Sequence, residues 1–238
     1  MSAPLIVAID GPSGVGKSTA ARRLAKRLDV PFLDTGAMYR SIALKVLRSD
    51  LDPTDRGAVE ALSVETDVRL ERHEDGSFEV LLEGEPVEPF IRAPEVGEVA
   101  STISAHPGVR RRLVALQQDA ARHWGGVLEG RDIGTRVFPD TPHKFFLDAS
   151  NDVRGRRRYE ELKAAGREIS YQQVIEEISR RDHRDRTRED SPLTHDETYT
   201  CLDTSDLTID QVVELMATSI EEKSRADRYP GRKVHPPR

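Results

Sequence analysis

The sequence predicts a three-layer α/β fold, a parallel β-sheet with helices on both faces, and three observations lead there. A continuous apolar run, Leu5-Ile6-Val7-Ala8-Ile9, ends on Asp10 and a glycine-rich turn, as a strand buried on both faces does. Just beyond it Ala21, Leu24, Ala25 and Leu28 recur at i, i+3, i+4 and i+7, with Arg22, Arg23, Lys26 and Arg27 on the opposite side, the pattern of an amphipathic helix. Short apolar runs then alternate with long helical patterns along the chain, which marks a sheet assembled from strand–helix–strand units.

Val30-Pro31-Phe32-Leu33 reads as the second strand, weakened by its proline, and residues 38–47 as the second helix. Further strands are predicted at 126–128, 144–147 and 207–209, making five, with helices over 109–123, 152–165 and 171–181. Residues 64–87 break this rhythm. Val68-Arg69-Leu70 and Phe78-Glu79-Val80-Leu81-Leu82 flank a turn at Asp75-Gly76 and predict an inserted β-hairpin. Residues 223–238 set six lysines and arginines against Asp227 alone, with three prolines, and predict a disordered basic tail.

The 238 residues are enough for one large domain carrying insertions. With 37% hydrophobic and 33% charged residues, and both signs present (36 Lys+Arg, 42 Asp+Glu), the chain is globular with a highly charged surface. A net charge of −6 argues against a nucleic-acid coat or a binder of anionic membranes. The single cysteine, Cys201, excludes an intramolecular disulfide and a cysteine-built zinc cage, and suits a reducing compartment. Residues 5–9 are too few to span a bilayer and lack the basic leader of a signal peptide, so a cytoplasmic protein without nucleic-acid or membrane partners is expected.

Gly11-Pro12-Ser13-Gly14-Val15-Gly16-Lys17-Ser18 matches G-x-x-x-x-G-K-[ST] at every fixed position, after a predicted strand and before a predicted helix. This is a P-loop. Its glycines let backbone N–H groups turn toward phosphate oxygens, the helix N-terminus adds its positive dipole end, Lys17 reaches the β/γ-phosphates, and the Ser18 hydroxyl can ligate Mg²⁺. Val15 and Thr19 stand where a nucleophile elbow and a dinucleotide fingerprint would need a small residue. Switch GTPases, motor ATPases and small-molecule kinases all share the motif. The only asparagine, Asn151, is followed by Asp152, so the Asn-Lys-x-Asp that reads guanine is absent.

Asp34-Thr35-Gly36-Ala37-Met38-Tyr39-Arg40 follows the second strand and resembles the segment that opens the acceptor pocket of nucleoside monophosphate kinases. Three further pieces narrow the resemblance: Glu129-Gly130-Arg131-Asp132-Ile133-Gly134-Thr135, Lys144-Phe145-Phe146-Leu147-Asp148-Ala149, and Arg181-Asp182-His183-Arg184-Asp185-Arg186-Thr187-Arg188 with Ser191-Pro192-Leu193 beyond. In order and spacing the chain resembles the bacterial cytidylate kinases from about residue 5 to 222, hairpin included.

That resemblance implies a P-loop NTPase-like fold with a five-stranded parallel sheet. The core would comprise residues 1–35, 105–152 and 169–222, with an acceptor-binding insertion at 36–104 and a short lid at 153–168. It also implies transfer of the γ-phosphoryl group of ATP to CMP or dCMP, with Mg²⁺, by a monomer. Carried over by position, ATP would be bound by Gly11, Pro12, Ser13, Gly14, Val15, Gly16, Lys17, Ser18 and Thr19, with Arg157 and Arg158 from the lid. Thr35, Arg110, Asp132 and Arg188 would surround the cytosine, Ser101, Arg181 and Asp185 the pentose, and Arg40 and Arg131 the acceptor phosphate. Lys17, Arg131, Asp132 and Arg158 would be catalytic, and Ser18 the metal ligand, with Glu129 behind it. Glu129 stands where related kinases carry Asp, Ser18 where the family commonly has Gly, and Thr35 where Ser is frequent.

Chemistry alone supports convergent arginines, because phosphoryl transfer must hold two polyanions together. A carboxylate suits cytosine, whose 4-amino group is a donor. Simpler readings exist. The 154–158 run fits a solvated helix face, the 180–188 cluster an intrahelical salt-bridge lattice, Asp148 a helix cap, and Cys201 and Trp124 packing residues. Other small-acceptor kinases (adenylate, shikimate, gluconate) and a nucleotide-dependent switch without turnover are the competing functions.

Overall fold

The computed structural model describes residues 4–74 and 76–228. Along the chain run β1 (Ile6–Asp10), α1 (Lys17–Leu28), β2 (Phe32–Asp34) and α2 (Thr35–Arg48). Next come α3 (Arg56–Glu65), β3 (Val68–Arg72), β4 (Phe78–Leu82), β5 (Glu85–Pro86), α4 (Glu88–Ile91) and α5 (Pro94–Ile103). The chain returns through α6 (Pro107–Trp124) to β6 (Gly126–Gly130), a π-helical turn (Ile133–Val137) and β7 (His143–Asp148). It closes with α7 (Asn151–Ala164), α8 (Tyr171–Thr187), β8 (Thr200–Asp203) and α9 (Ile209–Arg228).

The five-stranded parallel sheet has the order β2-β6-β1-β7-β8. Val7-Ala8-Ile9 of β1, Val127-Leu128 of β6 and Phe145-Phe146-Leu147 of β7 are continuous apolar runs because both faces of these strands are covered. Val7, Ile9, Val127, Phe145 and Leu147 pack against α1 and α9, through Ala21, Leu24, Val213 and Met216. Ala8, Leu33 and Leu128 face the other way, into a second core shared with α2, α5 and α6, through Met38, Ile42, Ile103 and Leu113. Period-2 alternation thus feeds two cores from one set of strands.

The predicted hairpin is present, with Val68 opposite Leu82 and Leu70 opposite Val80, so Val68, Val80 and Leu82 bury one face and Arg69 and Glu71 leave the other to solvent. Asp75 of its turn lies outside the described residues. β5 adds a third strand, and Ser77 makes a parallel bridge to Phe32 that ties the insertion to the edge of the main sheet.

The strand predicted at 207–209 is not there. Thr208 and Gln211 form reciprocal side-chain bonds to each other's backbone N–H (2.8 and 3.2 Å), so Thr208 caps α9 and Leu207 and Ile209 pack against the α1 side of the core. The fifth strand is Thr200-Cys201-Leu202-Asp203, an edge strand whose alternately exposed side chains give no apolar run. α9 continues to Arg228, through the first six residues of the expected tail, and residues 229–238 lie outside the described part. Ser150 caps α7, while Asp148 only accepts from the neighbouring Ala149 N–H (2.8 Å), so Asp148 is not the cap. Trp124 is 44% exposed and lies under Arg72, and Cys201 is exposed, so neither is a packing residue.

Candidate active site

All five strands run the same way, so their carboxyl ends meet on one edge, where open α/β sheets bind ligands. The register brings Asp34 beside Glu129 and Asp10 beside Gly130. Above that edge lies a cleft of about 470 Å³, roofed by α5 from the insertion and by α7 and α8 from the other side. Ten arginines and Lys17 line it against seven carboxylates.

On the β1 side the P-loop wraps the start of α1. Gly11, with φ +148, abuts β7 so closely that any Cβ there would run into the Leu147 carbonyl oxygen. Lys17 Nζ donates to Pro12 O (2.6 Å), and burial together with Arg131 pushes its ammonium down to about 7. The Ser18 hydroxyl donates to the Glu129 carboxylate, whose titration is pushed up by burial and by neighbouring Asp34. Ser13, Gly14, Gly16, Lys17, Ser18 and Thr19 line the cleft; Gly11, Pro12 and Val15 shape the loop from behind.

The residues expected on the acceptor side come from four helices and from the segment between β6 and the π-helical turn. Asp132 pairs with Arg110 of α6 and lies 3.7 Å from Arg188 Nη2, all three nearly sealed from solvent. Arg131 Nε donates to Asp185 (2.8 Å); burial raises the Asp185 carboxyl, but Arg131 and Arg181 hold it below its ordinary value. Burial and Arg131 push Arg181 down to about 9. Thr35 opens α2 and donates to Glu129 O (2.7 Å), while Arg40, one turn on, faces Asp34 (3.9 Å). Ser101 reaches the same cleft from α5. Ser101 Oγ, Arg110 Nε, Arg181 Nε and Arg188 Nη2 are buried cleft-side atoms with no hydrogen-bond partner among the described residues. Unsatisfied buried polar groups are costly, so this wall is shaped for a polar ligand.

α8 runs to Thr187, six residues beyond the sequence expectation, and carries Arg181 and Asp185 at i and i+4 on one stripe, with Arg188 following as its extended C-cap. The intrahelical lattice gives way to long-range pairs: Asp182 with Arg154, Asp185 with Arg131, Arg184 with Glu98 (3.1 Å).

The two arginines expected in a lid, both in α7, part company. Arg158 lines the cleft beside Glu161 (2.8 Å). Arg157 turns away and donates to Thr204 O and Oγ1 (2.7 and 3.1 Å), and Thr204 in turn bonds Val15 O behind the P-loop (3.1 Å). Arg92, Arg167, Arg180 and Arg184 also line the cleft, and sequence reasoning passed over their roles. Arg92 bonds Asp34 (3.0 Å) and Glu88 (2.6 Å) at the α4–α5 corner, where no periodicity marks it.

A P-loop at the carboxyl edge of a parallel sheet, facing a second wall of arginines, defines a kinase that moves phosphate from a nucleotide to a small anionic acceptor. A solved gluconokinase from Sinorhizobium meliloti shares this fold, with TM-score 0.50 and 11% identity over 98% of this chain and 100% of that one. The family model described as cytidylate kinase matches residues 7–222. A cytidylate kinase of Syntrophotalea carbinolica is 46% identical over 94% of this chain and 95% of its own length, and one of Corynebacterium glutamicum 48% identical over 91% and 94%. The chain belongs to the cytidylate kinase family.

Proposed function

We propose that this protein transfers the γ-phosphoryl group of ATP to CMP or dCMP, giving ADP and CDP or dCDP. The observation that carries this reading is the sealed Arg110–Asp132–Arg188 cluster. The carboxylate accepts from the cytosine 4-amino group while the two guanidinium groups beside it donate to the ring's acceptor side, whereas uracil offers an acceptor and an N3–H in those places.

The reaction follows from positioning and charge. The P-loop N–H groups and Lys17 hold the ATP phosphates, Arg40 and Arg131 hold the acceptor phosphate, and Arg158 approaches from α7. As charge spreads over the transferring oxygens, Lys17, Arg131 and Arg158 meet it without reorganisation. Ser101, Arg181 and Asp185 hold the pentose. Arg157 supports the P-loop through Thr204 and touches no phosphate in this reading.

The residues present fit Mg²⁺. Ser18 and Glu129 are hard oxygen donors hydrogen-bonded to each other on the cleft wall, and burial and Asp34 both oppose the Glu129 charge, an opposition that a divalent cation would relieve. Bound there, Mg²⁺ would supply Lewis-acid neutralisation of phosphate charge. Ser18 would hold it, with Glu129 orienting the Ser18 hydroxyl.

We further assign residues 1–35, 105–152 and 169–222 to the core, 36–104 to acceptor binding and 153–168 to the lid. We read the catalytic unit as a monomer. Among the described residues no helix is long and apolar enough to cross a membrane; with an exposed Cys201, we place the protein in the reducing cytoplasm.

Replacing Asp132 with Asn tests the base reader. The amide keeps the shape but loses the charge-assisted bond, so the CMP/UMP ratio of kcat/KM is expected to shrink by about 5–150-fold, chiefly through weaker CMP use, with the ATP KM little changed. A constant ratio with both acceptors slowed equally would place Asp132 on the phosphates instead.

A further inference from the structure

Asp10, the last residue of β1, is fully buried and adjoins the P-loop, yet its carboxylate points away from the phosphate cradle. It accepts from Ile133 N–H (2.8 Å), Gly134 N–H (2.9 Å) and the Tyr199 hydroxyl (2.8 Å). The first two are the opening residues of the π-helical turn, whose internal bonds run from Val137 N–H to Asp132 O (3.2 Å) and from Phe138 N–H to Ile133 O (2.7 Å). Opening N–H groups of a helical turn have no partner inside it. Asp10 supplies that cap from another strand.

The main chain of Asp10 does a second thing. It stands in register with Gly130 at the end of β6. The span between Gly130 and Ile133 consists of Arg131 and Asp132 alone, so one residue fixes the backbone on both sides of the pair that meets the acceptor. Tyr199 sets the carboxylate in turn. Its ring packs edge-on against Phe146 (6.3 Å between centroids), and a Cβ on Gly134 would stand 2.6 Å from its hydroxyl, so glycine is needed for the turn to come this close.

We infer that Asp10, oriented by Tyr199, is a positioning residue for acceptor selection: it clamps the Arg131-Asp132 segment from both ends and so holds the base reader in place. This rests on the assignment of Arg131 and Asp132 to the acceptor. An asparagine at position 10 cannot reproduce the clamp. Whichever way its amide turns, its NH₂ faces one of the two backbone N–H groups, and that end of the segment is released.

The test is steady-state kinetics on wild type, Asp10→Asn and Tyr199→Phe, with ATP varied at saturating CMP, CMP varied at saturating ATP, and UMP as second acceptor. Asp10→Asn is expected to raise the CMP KM about tenfold and narrow the CMP/UMP ratio while the ATP KM stays within about twofold. Tyr199→Phe is expected to shift the CMP KM the same way by about two- to fivefold, since it leaves both backbone bonds. Equal rises in the two KM values, or a loss of thermal stability with both KM values unchanged, would overturn the inference by making Asp10 a support of the fold or of the P-loop. Should Asp10→Asn fail to fold, Tyr199→Phe decides: an unchanged CMP KM and CMP/UMP ratio in that variant contradicts the clamp. Wild type lacking CMP-dependent ADP formation would overturn the acceptor assignment itself, and the inference with it.

Discussion

Lys17 is a cation stripped of most of its hydration, held on Pro12 O, with burial and Arg131 both opposing its charge. Polyphosphate supplies the countercharge it lacks, so Lys17→Ala is expected to lower kcat/KM by at least about 100-fold. The melting temperature is expected to hold or rise, because the substitution removes a costly buried charge; calorimetry on the purified variant checks this. Asp10 carries the opposite charge and a pH signature. Burial first, and Asp132 after it, push Asp10 from 3.8 up to about 6. The native state therefore binds the proton more tightly than the unfolded chain. That contribution is complete below about pH 4 and is lost as pH rises through about 6. Relative to Asp10→Asn, which does not titrate, wild type is expected to lose about 3 kcal/mol of stability across that window in parallel urea titrations. A pH-independent difference would show that Asp10 titrates at its ordinary value. Lys17, Ser18, Asp132 and Asp185 were readable in the sequence because they sit in contiguous motifs. Asp10, Thr204 and Arg92 were not, since their partners lie far along the chain and only folding brings them together.

At the scale of elements, buried strands were legible as short continuous apolar runs and amphipathic helices from their period, as β1, β6 and β7 on one side and α1 on the other show. The edge strand β8 was not, because half of its side chains face solvent, and the apolar Leu207 and Ile209 belong to a helix start. α8 was cut short for a related reason: beyond Ile178 its inward stripe is charged, and hydrophobic periodicity cannot follow arginines and aspartates that face a cleft. That stripe is also what joins the elements. Asp182 of α8 pairs with Arg154 of α7, nine-tenths or more buried on both sides, and Arg154 donates to Ser13 O (3.1 Å) in the P-loop. Removing one partner strands a charge. Asp182→Ala is expected to destabilise the fold by about 3–5 kcal/mol, measured by chemical denaturation, and to raise the ATP KM through the loosened Ser13. A stability change within about 0.5 kcal/mol would mean that the pair is solvated.

At the scale of the molecule, one sheet carries two cores, and the cleft lies where α5, α7, α8 and the P-loop overlook its carboxyl edge. The general layout was legible because a P-loop requires a strand before it and a helix after it; the way α5 and α8 meet across the cleft through Glu98 and Arg184 was not, since Glu98 belongs to no motif and its partner lies 86 residues along the chain. With phosphate held by one wall and acceptor by the other, binding both substrates is expected to draw the walls together and exclude water, seen as a smaller radius of gyration in solution scattering with ATP analogue and CMP than with either alone. The most direct test of the central claim is ADP formation from ATP and Mg²⁺ with CMP, dCMP, UMP, AMP, GMP, gluconate and shikimate offered in turn. This account predicts rapid ADP release with CMP and dCMP, stoichiometric with CDP and dCDP, and far slower release with the others. ADP formation independent of acceptor, none with any acceptor, or a preference for AMP, gluconate or shikimate would contradict it.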